Sequence, residues 1–88
     1  MLQPSYTRQF EKDLKKMQKR GKSVAKLKQV MGDLVAEKKL DVHYRDHKLI
    51  GNYLNRRECH IEPDWLLIYQ SKTESILFER TGSHADLF

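Results

Sequence analysis

The sequence predicts an α+β sandwich. An N-terminal strand and a helical hairpin pack on one face of a mainly antiparallel four-stranded sheet. Three observations carry this. Trp65-Leu66-Leu67-Ile68-Tyr69 is apolar on both faces, as a strand in mid-sheet is. Two successive early segments carry apolar stripes at helical spacing and must bury them against something. The order is one strand, two helices, then three strands in meander, so the sheet is the partner available to the helices.

Leu2 to Tyr6 reads as the first strand, with Pro4 favouring an edge because it lacks an N–H. Ser5 or Thr7 can cap the helix that follows. That helix runs to about Arg20, with Phe10, Leu14 and Met17 on one stripe and Lys12, Lys15, Lys16 and Lys19 across from it. Gly21 supplies its stop. Ser23 opens a second helix to about Lys39, with the stripe Val24, Leu27, Val30, Met31, Leu34 and Val35. Leu40 to Tyr53 shows no clean period and reads as an irregular loop anchored by Leu49 and Ile50.

A strand then alternates Arg56, Glu58 and His60 with Arg57, Cys59 and Ile61, so one of its faces is wholly polar. Glu62-Pro63-Asp64 turns into the apolar strand. Ser71 to Glu74 turns again, and Ser75 to Thr81 is the last strand. Its alternation sets Leu77 on one face and Ile76, Phe78 and Arg80 on the other, without deciding which face meets the helices. Gly82 ends it, and the remaining residues suffice for one helical turn. The sheet face that the helices leave uncovered is where a ligand would sit.

At 88 residues the chain, 1–88, is a single domain. A domain of this size buries only roughly 60–65% of its unfolded surface, so a partner that covers apolar surface would add to a small stability. The single Cys59 excludes an internal disulfide and zinc-finger spacing. No apolar run reaches membrane-spanning length, and the N-terminus lacks a signal-peptide pattern. The expectation is a cytoplasmic protein with no membrane association.

Net charge is +5, unevenly spread. Residues 8–39 carry +7 and residues 40–88 carry −2. A basic half suits a polyanion such as nucleic acid or a ribosome, although a solvated helical face has the same composition. Lys12, Lys16 and Lys19 are the candidate RNA contacts, with Trp65 as a candidate base platform.

Near the open face the topology gathers His60, Asp64, Arg80, His84 and Phe88, with His47 from the loop and Glu58 from the half-polar strand. This set suits RNA cleavage without a metal or other cofactor. One imidazole takes the ribose 2′-OH proton and another protonates the leaving 5′-oxygen. A guanidinium stabilises the charge on the phosphorane, and an aromatic stacks on an unpaired base. Each residue also has an ordinary reading: Arg80 paired with Glu58 or Glu79, Trp65 and Tyr69 in packing, Phe88 as a frayed end. His43 and His47 have H-x-x-x-H spacing, but the segment is not helical, so no metal site is expected.

At three blocks the chain resembles the YafQ-type toxins of the RelE superfamily, the toxin half of bacterial type II toxin–antitoxin pairs. The blocks are Tyr44–Gly51, Arg57–Tyr69 and Phe78–Phe88, in the right order and spacing. The resemblance implies a RelE-like fold and a ribosome-dependent endoribonuclease, an mRNA interferase, that cuts mRNA in the ribosomal A site. It implies a cognate antitoxin, with operator DNA bound only through the antitoxin complex. By position it implies His47, His60, Asp64, Arg80, His84 and Phe88 as the active-site set. His84 would be the general acid and His47 or His60 the base. Arg80 would sit on the phosphate, Asp64 would orient an imidazole, and Phe88 would position the base. Glu58 and Trp65 match in position with less settled roles.

Two other functions fit parts of the pattern. A non-catalytic RNA- or ribosome-binding module needs only the charge. A DNA-binding regulator is disfavoured, because the second helix spends its stripe on core.

Overall fold

A computed structural model describes residues 1–88. The elements are β1 (Gln3–Tyr6), α1 (Arg8–Lys19), α2 (Val24–Val35), β2 (His47–Lys48), β3 (Arg57–Glu62), β4 (Trp65–Ser71), β5 (Ser75–Gly82) and α3 (His84–Leu87), with 3-10 turns at Val42–Tyr44 and Gly51–Tyr53. The α+β architecture is the expected one, with one more strand. The sheet has five strands in the order β1-β5-β4-β3-β2. The additional strand, β2, pairs His47 with Glu58 and Lys48 with Arg57 inside the segment read as irregular. Two residues are too few for alternation to show in a sequence.

Thr7 caps α1, its hydroxyl accepting from the Phe10 N–H at 2.9 Å. Gly21, at φ 80°, ends it. The Lys22 N–H donates to the Met17 carbonyl and the Gly21 N–H to the Gln18 carbonyl, the paired bonds of a Schellman stop. The stop of α2 has the same form: Lys38 N–H to Asp33 carbonyl and Glu37 N–H to Leu34 carbonyl. The left-handed residue there is Glu37 at φ 60°, not a glycine. The helix therefore ends at Val35, short of the expected Lys39.

Phe10, Met17, Leu27, Val30 and Leu34 of the helices pack on Cys59, Ile61, Trp65, Leu67, Tyr69, Ile76 and Phe78 of the sheet. Opposed residues in an antiparallel pair share a face, so register divides the sheet cleanly. Cys59↔Leu67↔Thr81 faces the helices, while His60↔Leu66↔Gly82 and Glu58↔Ile68↔Arg80 face away. Ile76 and Phe78 face the helices, but Arg80 does not share their face. A bulge at Ile68/Tyr69 leaves Glu79 as an extra residue on β5 and turns Arg80 to the other side. The second face is not bare. Leu66, Ile68 and Leu87 form a small buried cluster there, flanked by Leu49 and Tyr53.

Candidate active site

The half-polar strand builds the centre of the site. Glu58 and His60 lie on the face away from the helices, yet they are only 5% and 8% exposed. Glu58 Oε1 and His60 Nδ1 are buried with no protein hydrogen-bond partner. Two such atoms on one strand are costly to stability, and functional sites are where that cost is met. Burial is the main reason the His60 imidazole lies below its ordinary value of 6.5. Arg45, His84 and His47 push it the same way, and Glu58 opposes them.

His47 and His84 stand on either side. The ring centroids are 6.3 Å apart for His47–His60 and 5.7 Å for His60–His84. His47 is aimed by its backbone pairing opposite Glu58. Its Nδ1–H donates to the Arg45 carbonyl at 2.7 Å, and its Nε2 lies 3.2 Å from Glu58 Oε2. Arg45 ends the Val42–Tyr44 turn in the left-handed region, at φ 53°.

His84 opens α3 and is held by Asp64 of the β3–β4 turn. Asp64 Oδ1 accepts the His84 backbone N–H at 2.9 Å and its Nδ1–H at 2.7 Å. Those two bonds, the backbone one first, hold the Asp64 carboxyl below the usual carboxylate range. The Nε2 edge of His84 is left for a ligand.

The short α3 could not stand alone, and three devices fix it. Ser83 and Asp86 form a reciprocal capping box. Asp86 is gripped by Arg20 at 2.5 and 2.9 Å and by Lys16 at 3.2 Å, which drives its carboxyl far below the usual range. Gly82 allows the close return: a Cβ there would sit 3.0 Å from both Cβ and Oδ2 of Asp86. Phe88, 63% exposed, meets Tyr53 edge to face at 5.6 Å.

Arg80 pairs with neither Glu58 nor Glu79. Glu79 is taken by Arg56. Arg80 turns instead to Asp13 on α1, donating from Nε to Oδ2 at 2.7 Å and from Nη2 to Oδ1 at 3.2 Å. The Asp13 hydrogen bond keeps the guanidinium firmly charged.

His47, Glu58, His60, Asp64, Arg80, His84 and Phe88 therefore gather on one side of the sheet, around the histidine row and α3. Trp65 does not join them. It is fully buried on the helix side, and its Nε1–H donates to Thr81 Oγ1 at 2.8 Å, so it cannot serve as a base platform. Lys12 and Lys19 are exposed, whereas Lys16 is engaged with Asp86. Sequence reasoning missed Asp13, Arg45 and Tyr53. For Asp13 a signal existed, since it stands at the i+3 position of the Phe10–Leu14–Met17 stripe where an apolar residue belongs. For Arg45 and Tyr53 there was none, because both depend on loop geometry. No group of three or more His, Cys, Asp or Glu side chains is disposed to hold a metal ion.

A family model for YafQ, the bacterial toxin of type II toxin–antitoxin systems, matches residues 2–88. The mRNA interferase toxin YafQ of Escherichia coli K12 is 45% identical over 84 residues, covering 94% of this chain and 91% of that protein. The crystal structure of the E. coli DinJ–YafQ complex aligns at a TM-score of 0.94 with 43% identity, over 100% of this chain and 99% of the matched one. A metal-bound toxin from Helicobacter pylori aligns at 0.93 with 41% identity over the full length of both chains.

Proposed function

The chain belongs to the YafQ family of bacterial type II toxin–antitoxin toxins, and we propose that it is an endoribonuclease that cuts mRNA in the ribosomal A site. The observation that carries this is the row of three imidazoles with a carboxylate on one flanking ring and an anchored guanidinium beside them. A cognate antitoxin is its partner, as DinJ is for the E. coli relative.

His60 is the base. Burial and the surrounding cations favour its neutral form, and a neutral imidazole can take the 2′-OH proton. The oxygen then attacks the adjacent phosphorus, and the 5′-oxygen leaves with a proton from His84. Asp64 holds His84 Nδ1–H and fixes the ring, leaving Nε2 as the donating edge. The 5.7 Å between the two ring centroids puts base and acid within reach of one phosphate. His47 has Nδ1 tied to a carbonyl and Nε2 beside a carboxylate, so both of its nitrogens are engaged and it is not the base. Arg80 neutralises the phosphorane, and Phe88 beside Tyr53 offers a face for a splayed nucleobase. The exposed Lys12 and Lys19 face ribosomal RNA.

The reaction needs a 2′-OH and no metal. The test uses programmed ribosomes and free mRNA, with wild type and His84→Ala. Wild type cuts only ribosome-bound mRNA, equally with and without EDTA under a magnesium excess that keeps ribosomes intact while the chelator strips transition metals, and His84→Ala loses about 10²–10⁴-fold in rate. Ribosome binding without cleavage by wild type would leave the non-catalytic module. Cleavage abolished by EDTA while ribosomes stay intact would reject the metal-free chemistry.

A further inference from the structure

We infer that Asp13, a carboxylate on α1 outside the histidine row, is the positioning residue that aims Arg80 at the scissile phosphate. The inference rests on the endoribonuclease reading and assigns it a residue that lies on another element and on the opposite side of β5.

Asp13 grips Arg80 side-on, through Nε and Nη2. A guanidinium is planar and rigid, so fixing two of its nitrogens fixes the direction of the third. Nη1 is the nitrogen that Asp13 does not hold, and it is the donor left for an oxyanion. Asp13 is itself immobile. It is 6% exposed, it accepts the Thr81 N–H at 3.2 Å, and it accepts Gln9 Nε2 at 3.0 Å. The clamp is thus referred to the backbone of β5 and to α1 together.

Tyr53 also lies against the guanidinium, but no other carboxylate could replace Asp13. The cross-strand neighbour of Arg80 is Ile68, which offers no hydrogen bond. Glu79 is occupied by Arg56, and Glu58 turns Oε2 toward His47. Released from Asp13, the Arg80 side chain has no carboxylate to set its direction. Packing does not explain the carboxylate either. The position lies on the apolar stripe of α1, where replacing a buried ion pair with a hydrophobe is often neutral or stabilising.

The competing account is structural. β1 ends its pairing at Tyr6↔Phe78, so the Thr81 N–H lies on an open edge that Asp13 closes. Kinetics separate the two. Single-turnover cleavage on programmed ribosomes is measured for Asp13→Asn, alone and with Arg80→Ala. Asparagine keeps an acceptor for the Thr81 N–H but loses the charge and the second acceptor. The expected result is a loss of about 10–100-fold in the rate at saturating toxin. Half-saturation and antitoxin affinity stay unchanged, and Asp13→Asn causes no further loss once Arg80 is alanine. An Arg80→Lys background serves as a second check, because lysine keeps the charge opposite Asp13 without the fork. There the effect of Asp13→Asn shrinks to within about threefold. Equal losses in every background, or no loss in any, overturn the inference while wild type still cuts. A wild type that cuts nothing overturns the endoribonuclease reading, and this inference with it.

Discussion

The two faces of this sheet follow opposite rules. On the helix side every polar group that is buried has a partner. Trp65 Nε1–H meets Thr81 Oγ1, the Thr81 hydroxyl donates to the Leu66 carbonyl at 2.8 Å, and Tyr69 donates to Asp46 at 2.7 Å. On the other side Glu58 Oε1 and His60 Nδ1 are buried and unpaired. The first face resembles the interior of any small domain, where paired polar groups and close packing serve stability. The second keeps two buried polar atoms that the chain itself does not satisfy. One strand, β3, belongs to both: Cys59 and Ile61 look into the core, while Glu58 and His60 look into the site.

The largest test of this division is Phe78→Ala. Phe78 is fully buried between α1 and the sheet and lies 6.1 Å from Phe10, centroid to centroid. Its truncation costs about 3–5 kcal/mol, a large share of what 88 residues supply. Urea unfolding reads that loss, while the cleavage rate per folded molecule stays that of wild type. A matching fall in the rate per folded molecule would break the division, because it would show that the core face shapes the chemistry directly.

A smaller pair of substitutions sharpens it. Thr81→Val keeps the shape but leaves Trp65 Nε1–H and the Leu66 carbonyl unpaired, at about 1–3 kcal/mol. Glu58→Gln removes a charge from a carboxylate whose Oε1 already lacks a protein partner. It leaves stability within about 0.5 kcal/mol or raises it. Equal destabilisation by the two, in denaturant midpoints, would mean that Glu58 is as well satisfied in solution as Thr81.

The division itself was legible in the sequence, because alternation along Arg56–Ile61 and the apolar run Trp65–Tyr69 report faces directly. What changed in the structure traces to single residues. Each of the two bulges adds one residue to a strand and reverses the faces beyond it, and composition does not announce it. That is why Arg80 lies opposite Phe78 and not beside it. The second lies on β3, where Ile61 is the extra residue between the pairs His60↔Leu66 and Glu62↔Trp65; Trp65 itself follows the alternation of Leu67 and Tyr69 into the core. The stop of α1 was readable from Gly21, whereas the equivalent stop of α2 uses Glu37 in a conformation that its residue type does not signal. The candidate site residues were chosen by chemical type and by resemblance, neither of which shows contacts between them. The contact between Arg80 and Asp13 joins residues 67 positions apart, and no local pattern reaches that far.

The mildest perturbation is pH, and on the second face it acts through His60. Burial holds folded His60 below its ordinary value of 6.5, so the unfolded chain takes the proton first. The stability that neutral, buried His60 contributes is therefore complete above about pH 6.5 and is lost as pH falls from there through the folded value. Glu58 opposes the shift and Arg45, His84 and His47 add to it, so the size of the loss follows their balance. Thermal midpoints taken from pH 8 to pH 5 should fall more steeply for wild type than for His60→Gln, which has no proton to bind. Phe78→Ala should show the wild-type slope from a lower start, because it removes no titrating group. Identical slopes for wild type and His60→Gln would mean that the ring is solvated in solution. The second face would then be an ordinary polar surface, and His60 would lose the physical reason for serving as the base.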